Sequence, residues 1–109
     1  MHTKKKLGEE YILNQRKKVL LGIMDTLILQ WIKDKHMSGK DIASKILNQF
    51  NIFIGPGTLY PILHSLKKRN LVNMKIDKKS KLYFLTDKGK IASKSLIEDY
   101  SKIQKYINF

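Results

Sequence analysis

The chain of 109 residues contains no cysteine, and this absence excludes disulfide bonds and every function that needs a thiol. Its three histidines, His2, His36 and His64, are far apart and show neither H-x-x-x-H nor H-E-x-x-H spacing. The enzyme motifs G-x-S-x-G and G-x-G-x-x-G and the Walker loop are also missing. We therefore predict no metal site, no cofactor and no enzymatic activity.

Long apolar runs are missing too. The longest apolar region, residues 19–32, is interrupted by Gly22, Asp25 and Gln30 and is shorter than the roughly 18 to 20 residues that a bilayer span needs. The basic start of the chain leads into Gly, Glu, Asn and Gln residues rather than an apolar signal core. We expect no membrane partner and a cytoplasmic location.

Acidic residues are scarce, since 9 Asp and Glu stand against 22 Lys and Arg, for a formal net charge of +13 and a pI near 10.0. This excess of cations indicates a polyanionic partner. The alternative is a lysine-rich surface that only keeps the protein soluble. We favour nucleic acid because the acids avoid particular segments. A chain of this length forms one small domain, which buries limited surface and would gain from dimerisation.

Residues 54–72 are the most informative stretch. A Pro/Gly cluster is followed by Leu59, Ile62, Leu63 and Leu66 at the spacing of one helix face, which predicts that these side chains lie in a core. The opposite face carries hydroxyl, aromatic, imidazole and ammonium groups and no carboxylate, a composition that suits a polyanion. Its residues are Thr58, Tyr60, Pro61, His64, Ser65, Lys67 and Lys68.

The start of this helix has two alternatives. If Thr58 is the N-cap, Pro61 lies in the first turn, where a proline is tolerated. If the helix begins at Pro56, Pro61 must kink it.

Periodicity over the first half of the chain predicts two further helices. Residues 1–8 are expected to form a flexible basic arm, and a helix should begin at Glu9 or Glu10 and reach Ile32. A capping box of Ser38 and Asp41 predicts the start of the second helix.

The second half of the chain predicts a small antiparallel β hairpin and a last helix. Strands are expected at 72–77 and 82–85, on either side of a turn at 78–81, and Thr86 is the predicted cap of the last helix. That helix carries an apolar stripe, as the N-terminal segment does near residue 12, and both are predicted to pack on a second copy of the chain. The predicted dimerisation residues are Ala92, Leu96, Tyr100, Ile103, Ile107, Tyr11 and Ile12.

Three segments together resemble the PadR family of transcription regulators. Pro56 to Pro61 reads Pro-Gly-Thr-Leu-Tyr-Pro, the family's opening of the recognition helix, and residues 66–72 match the end of that helix. Tyr83 to Gly89 matches the pattern Tyr-x-Leu-Thr-x-x-Gly that follows the wing. One departure is that Gly39 is not followed by the usual tyrosine.

The resemblance implies a winged helix-turn-helix DNA-binding domain over residues 9–86 and a C-terminal dimerisation helix over 87–109. It also implies a homodimer, a repressor role and, in some members, a small lipophilic or aromatic effector held beside an aromatic side chain. Trp31 is a candidate for that side chain, although a core position is favoured.

Double-stranded DNA is then the expected partner. The N-terminal residues of the recognition helix should lie nearest the base edges, and the lysines should contact phosphates. The predicted DNA-binding residues are Gly57, Thr58, Tyr60, Pro61, His64, Lys67, Lys68, Lys75, Lys78, Lys79 and Lys81. Tyr60 has a packing alternative, and the lysine runs have the alternative of an idle solvated surface.

Two other functions compete with a sequence-specific regulator. High positive charge on a small dimer also fits an architectural protein that binds DNA without regard to sequence. Some winged helices instead bind proteins, and such a chain would have little affinity for DNA.

Overall fold

The computed structural model describes residues 2–107, except for the side chains of residues 2–5 and 7. The elements follow in the order α1 (His2–Ile32), α2 (Gly39–Phe50), α3 (Pro56–Lys68), β1 (Val72–Asp77), β2 (Ser80–Leu85) and α4 (Asp87–Ile107). The predicted fold class, mainly α with a small antiparallel hairpin, is confirmed. Met1 of the predicted arm and residues 108–109 of the predicted last helix lie outside the described residues.

Helix α1 is longer than the sequence predicted. It begins at His2, so the predicted start at Glu9 or Glu10 is wrong. Lysines are good helix formers and no proline interrupts residues 2–8, so the helix continues through them. The mobility of this segment is a separate question and stays a prediction.

Only the C-terminal part of α1 enters the core. Leu20, Met24, Ile28 and Ile32 are buried at four-residue spacing, which places them on one face of the helix. Residues 8–19 are exposed throughout. The apolar side chains of residues 8–19 are therefore largely uncovered by their own chain.

The capping box at the start of α2 is confirmed. The Ser38 hydroxyl accepts a hydrogen bond from the Asp41 amide at 3.1 Å, and the Asp41 carboxylate accepts one from the Ser38 amide at 3.0 Å. These bonds stabilise the ionised carboxylate, and the backbone bond contributes most to holding the pKa of Asp41 below its usual value. Beyond the cap, Ile42 and Ile46 are buried against the core.

Helix α3 begins at Pro56, with Gly55 as its N-cap, so Thr58 is not the cap. A proline at the first helical position loses nothing, because the amide there has no intrahelical partner. Pro61 consequently lies inside the helix, and it has no amide hydrogen for the Gly57 carbonyl four residues earlier. Gly57 itself is an exposed residue.

The hairpin is tighter than predicted. Asp77 pairs with Ser80, so the turn contains only Lys78 and Lys79 and the second strand begins two residues early. Met37, in the connection between α1 and α2, adds a short bridge on the other side of β2. Its amide donates to the Tyr83 carbonyl at 3.2 Å, and the Tyr83 amide donates back at 2.8 Å.

Helix α4 is anchored where the hairpin ends. The Thr86 hydroxyl accepts a hydrogen bond from the Gly89 amide at 3.0 Å, which confirms the predicted cap, and donates one to the Asn70 carbonyl at 2.6 Å. A Cβ atom on Gly89 would overlap the Leu71 carbonyl oxygen. The Thr-x-x-Gly pattern thus pins the first turn of α4 against the chain segment between α3 and β1.

Candidate nucleic-acid interface

The core face of α3 places its polar face outward. Leu59, Leu63 and Leu66 are buried, as predicted, and Ile62 is half-buried against the same core. Every predicted contact residue of this helix is exposed, namely Gly57, Thr58, Tyr60, Pro61, His64, Lys67 and Lys68. These positions recur at three- and four-residue spacing, which brings them to one side of the helix.

Tyr60 is both a packing residue and a surface residue. A Cβ atom on Gly39 would lie 2.8 Å from the Tyr60 hydroxyl and 3.0 Å from the carbon that bears it, so the phenol rests on the backbone of Gly39. The residue nevertheless remains 47% exposed. Glycine at position 39 therefore allows α2 to approach the tyrosine closely, while an edge of the ring stays open to solvent.

A second phenol lies near this contact. Tyr83 of β2 is buried, and this burial raises the pKa of its hydroxyl, with a smaller contribution from Tyr60. Tyr60 of α3 and Tyr83 of β2 are thus near each other. Helix α3 also contacts β1, so the exposed face of α3 lies beside the hairpin.

The hairpin carries further cations beside the exposed face of α3. Lys75, Lys78, Lys79 and Lys81 are all exposed, and Asp77 is the one acid within the two strands and their turn. Lys78 and Lys79 have φ values of 47° and 69°, the left-handed conformation at both central positions of a two-residue turn. Asparagine and glycine are the residues that such turns prefer.

The profile of the Transcriptional regulator PadR-like family matches residues 28–95, more than half of the chain. The chain belongs to this family. The PadR-like family is one of transcription regulators and not of enzymes, and the resemblance read from the three sequence motifs is confirmed. The elements described above are its winged helix, in which α2 and α3 form the helix-turn-helix and the hairpin is the wing.

Solved structures give the same fold. A PadR-like transcriptional regulator from Bacillus cereus superposes with a TM-score of 0.78 at 23% identity, covering 84% of this chain and 93% of its own. Bacillus subtilis PadR, solved in complex with operator DNA, gives a TM-score of 0.59 at 26% identity over 69% of this chain and 45% of its own. An uncharacterised protein of Lysinibacillus sphaericus is 26% identical, with 85% of this chain and 92% of that protein covered.

Two exposed residues beside the recognition helix were not singled out from the sequence. Phe53 is 72% exposed on the loop between α2 and α3, whereas its neighbours Ile52 and Ile54 are buried. Lys40 is exposed next to Gly39. Both border a cavity of about 220 Å³ that Tyr60 also lines. The sequence carried no signal for the outward position of Phe53, because residues 52–54 are all apolar.

Arg69, at the end of α3, is held by its own chain. Its guanidinium lies 4.0 Å from the Asp25 carboxylate, and its Nε donates to the Ser65 carbonyl at 3.4 Å. Both partners of the ion pair are about half exposed, so solvent screens the pair and it contributes little to stability. It does orient the guanidinium toward α1.

Trp31 packs between α1 and α2. Its ring centroid lies 6.5 Å from that of Phe50, and the Lys45 ammonium lies 5.2 Å from the centroid of the Trp31 ring. This is the core-side position that the sequence favoured, and a ligand role for Trp31 stays a prediction.

Two further properties of the described residues bear on function. Within residues 2–107 no set of three or more His, Asp or Glu side chains is grouped as a metal site requires. None of the helices among those residues is both long and apolar enough to cross a bilayer.

Proposed function

We propose that the protein is a homodimeric, cytoplasmic repressor that binds a specific sequence in double-stranded DNA through the exposed face of α3 and the cations of the wing. The observation that carries the proposal is the composition of one surface. Helix α3 contains no acid, its apolar face is buried, its other face is exposed, and the hairpin that it contacts is rich in exposed lysines. A recognition helix of this kind presents its N-terminal residues to base edges in the major groove. The operator complex of Bacillus subtilis PadR supports the same partner for this chain.

Selection of bound fragments from random duplex DNA is the direct test. A regulator should yield a motif whose half-sites are related by two-fold symmetry, and it should keep that site in competition with bulk genomic DNA. An architectural protein would yield no motif and would be displaced by the competitor, and a protein-binding winged helix would retain little DNA at all.

Point substitutions then separate recognition from stability. Tyr60→Phe keeps the ring that rests on Gly39, and His64→Ala changes an exposed side chain, so both should leave the melting temperature nearly unchanged. A lost base contact costs roughly 1 to 3 kcal/mol, so the affinity for the selected site should fall by about 5 to 150 fold while non-specific binding barely changes.

Leu63→Ala is the matched control, because Leu63 is fully buried on the opposite face of the same helix. It should lower the free energy of unfolding by about 2 to 5 kcal/mol through the cavity it leaves. Fluorescence anisotropy and thermal melts measure the two effects. Operator binding equal to wild type in both Tyr60→Phe and His64→Ala would assign recognition to another surface.

The proposed dimer is supported by apolar side chains that the chain leaves uncovered. Tyr11, Ile12, Ile103 and Ile107 are all more than half exposed. In the predicted stripe of α4, by contrast, the first three residues are half-buried within their own chain; they are Ala92, Leu96 and Tyr100. A second copy packed on the first part of α1 and the last part of α4 would remove the exposed apolar surface from water.

Sedimentation of Ile103→Glu, Ile107→Glu tests this interface. The double variant should be monomeric. It should bind the operator weakly, because each monomer then binds a single half-site without the help of a second copy. Ser101→Glu, Lys105→Glu changes two exposed residues on the same helix and should remain dimeric. A dimer that survives in the isoleucine variant would place the interface elsewhere.

A further inference from the structure

A cavity of about 270 Å³ lies between the C-terminal end of α1, the end of β2 and the first half of α4, away from the residues of the proposed DNA-binding face. Three lysines border it, Lys33, Lys90 and Lys94. Leu85 and Ile97 contribute to a mainly apolar lining, which includes no carboxylate. Lysine side chains commonly lay their methylene stems along apolar surface and keep the ammonium group at the rim.

The wall of this cavity contains a hydrogen-bonded pair, buried Ser93 and half-buried Gln30. Ser93 is only 3% exposed, and the side-chain amide of Gln30 donates to its carbonyl oxygen at 3.0 Å and to its hydroxyl. This pair ties α1 to α4 at the level of the cavity. The two helices are therefore fixed at the separation that keeps the cavity open.

A second, smaller and more apolar cavity adjoins the first between α1 and α4. Its volume is about 110 Å³, it shares Gln30 and Ile97 with the first, and Ile23, Leu27 and Tyr100 supply most of the remaining lining. The groove between α1 and α4 is thus cationic at one end and apolar at the other.

The cations at the rim are largely free to bind an anion. Lys90 lies 3.9 Å from the Asp87 carboxylate, but both side chains are mostly exposed, so solvent screens the pair. An incoming anion between three ammonium groups would meet positive charge on several sides, and a partly enclosed apolar floor strengthens that attraction relative to open water.

We propose that this groove binds a small amphipathic anion of the medium-chain carboxylate class. The carboxylate lies among Lys33, Lys90 and Lys94, and the apolar chain runs over Leu85 and Ile97. A ligand in this position also contacts the last residue of β2, at the base of the wing.

Calorimetric titration of the full chain with octanoate tests the proposal without any DNA. Octanoate should bind saturably at one per chain. Acetate, which has only the head group, and octylammonium, which has the same chain and the opposite charge, should bind far more weakly. In amide NMR spectra the octanoate shifts should centre on Ser93 and on the Gln30 side chain.

Lys33→Gln, Lys94→Gln should weaken octanoate binding by about tenfold or more, the usual effect of losing a charge-assisted hydrogen bond. Lys102→Gln, Lys105→Gln makes the same change in net charge, with both substitutions on α4 outside the lining, and it should bind octanoate like wild type. Equal weakening in both variants, equal binding of acetate, or NMR shifts spread over the whole basic surface would each overturn the proposal. Since no readout involves DNA, such a failure would leave the proposed regulator role untouched.

Discussion

Lys78 and Lys79, the two central residues of the wing turn, are in a conformation that lysine disfavours. Replacing them tests whether the cations at this turn lower the stability of the protein. Lys78 and Lys79 both have positive φ. That conformation costs a residue other than glycine about 1–2 kcal/mol, and asparagine followed by glycine suits it best. Lys78→Asn, Lys79→Gly should therefore raise the free energy of unfolding by about 1–2 kcal/mol. For a domain of this size the melting temperature should then rise by roughly 4 to 16 °C.

The same change should weaken DNA binding. Each phosphate contact contributes about 0.9 to the slope of log K against log salt concentration. Two lysines in each wing of a dimer make up to four such contacts, so the slope should fall by up to about 3.6. Anisotropy titrations at several salt concentrations measure the slope, and melts at one fixed protein concentration measure stability.

Lys78→Gln, Lys79→Gln separates the two effects. It removes the same charges but keeps side chains that disfavour the left-handed conformation. Its salt slope should therefore fall as much as that of the Asn-Gly variant, while its free energy of unfolding should not rise. If the Asn-Gly variant melts no higher than this control, the inference of a strained turn is refuted. If neither variant changes the salt slope, the tip of the wing does not contact phosphates.

Two other predictions concern the scaffold. Gly89→Ala should lower the free energy of unfolding by about 3 kcal/mol or more, because the new Cβ would overlap the Leu71 carbonyl. Gly22→Ala is the control: no atom lies within 4 Å of its new Cβ, so it should be neutral or slightly stabilising. Denaturant unfolding compares the two variants. Ser38→Ala should cost about 0.5 to 2 kcal/mol at neutral pH by removing the α2 cap. Since the pKa of Asp41 is lower in the folded chain than in the unfolded one, the contribution of its carboxylate is present above the unfolded value and is lost as pH falls through the folded one. Wild type and Asp41→Asn should therefore approach each other in stability below about pH 4, and a constant difference down to pH 2 would contradict this account.

The core could be predicted from the sequence because its signal is periodic. Leu59, Leu63 and Leu66 repeat at helical spacing, and the structure buries all three. The ends of elements were harder to predict. The start of α3 depended on whether Pro56 or Thr58 opened the helix, and both are good residues for a helix start. The early start of α1 was missed because lysines are also typical of unstructured arms.

The surface of the candidate site was predicted, but its packing was not. Exposure of Thr58 and His64 follows from burial of the other face of α3. The contact between Gly39 and Tyr60, and the bridge from Met37 to β2, join segments that are 21 and 46 residues apart in the chain. No local periodicity reports such contacts, because they depend on how the elements pack.

The backbone itself distinguishes the wing from the rest of the molecule. Among the described residues no glycine has positive φ, and the left-handed positions other than the wing tip are held by Asn51 and Asn70, each at the end of a helix. Asparagine adopts this conformation readily because its short side chain bonds to the nearby backbone. Lysine has no such compensation, yet Lys78 and Lys79 occupy the two turn positions. Among the described residues, the wing tip is therefore the one place where a lysine has a conformation that its residue type disfavours. Contact with a polyanion supplies a reason to keep lysine there.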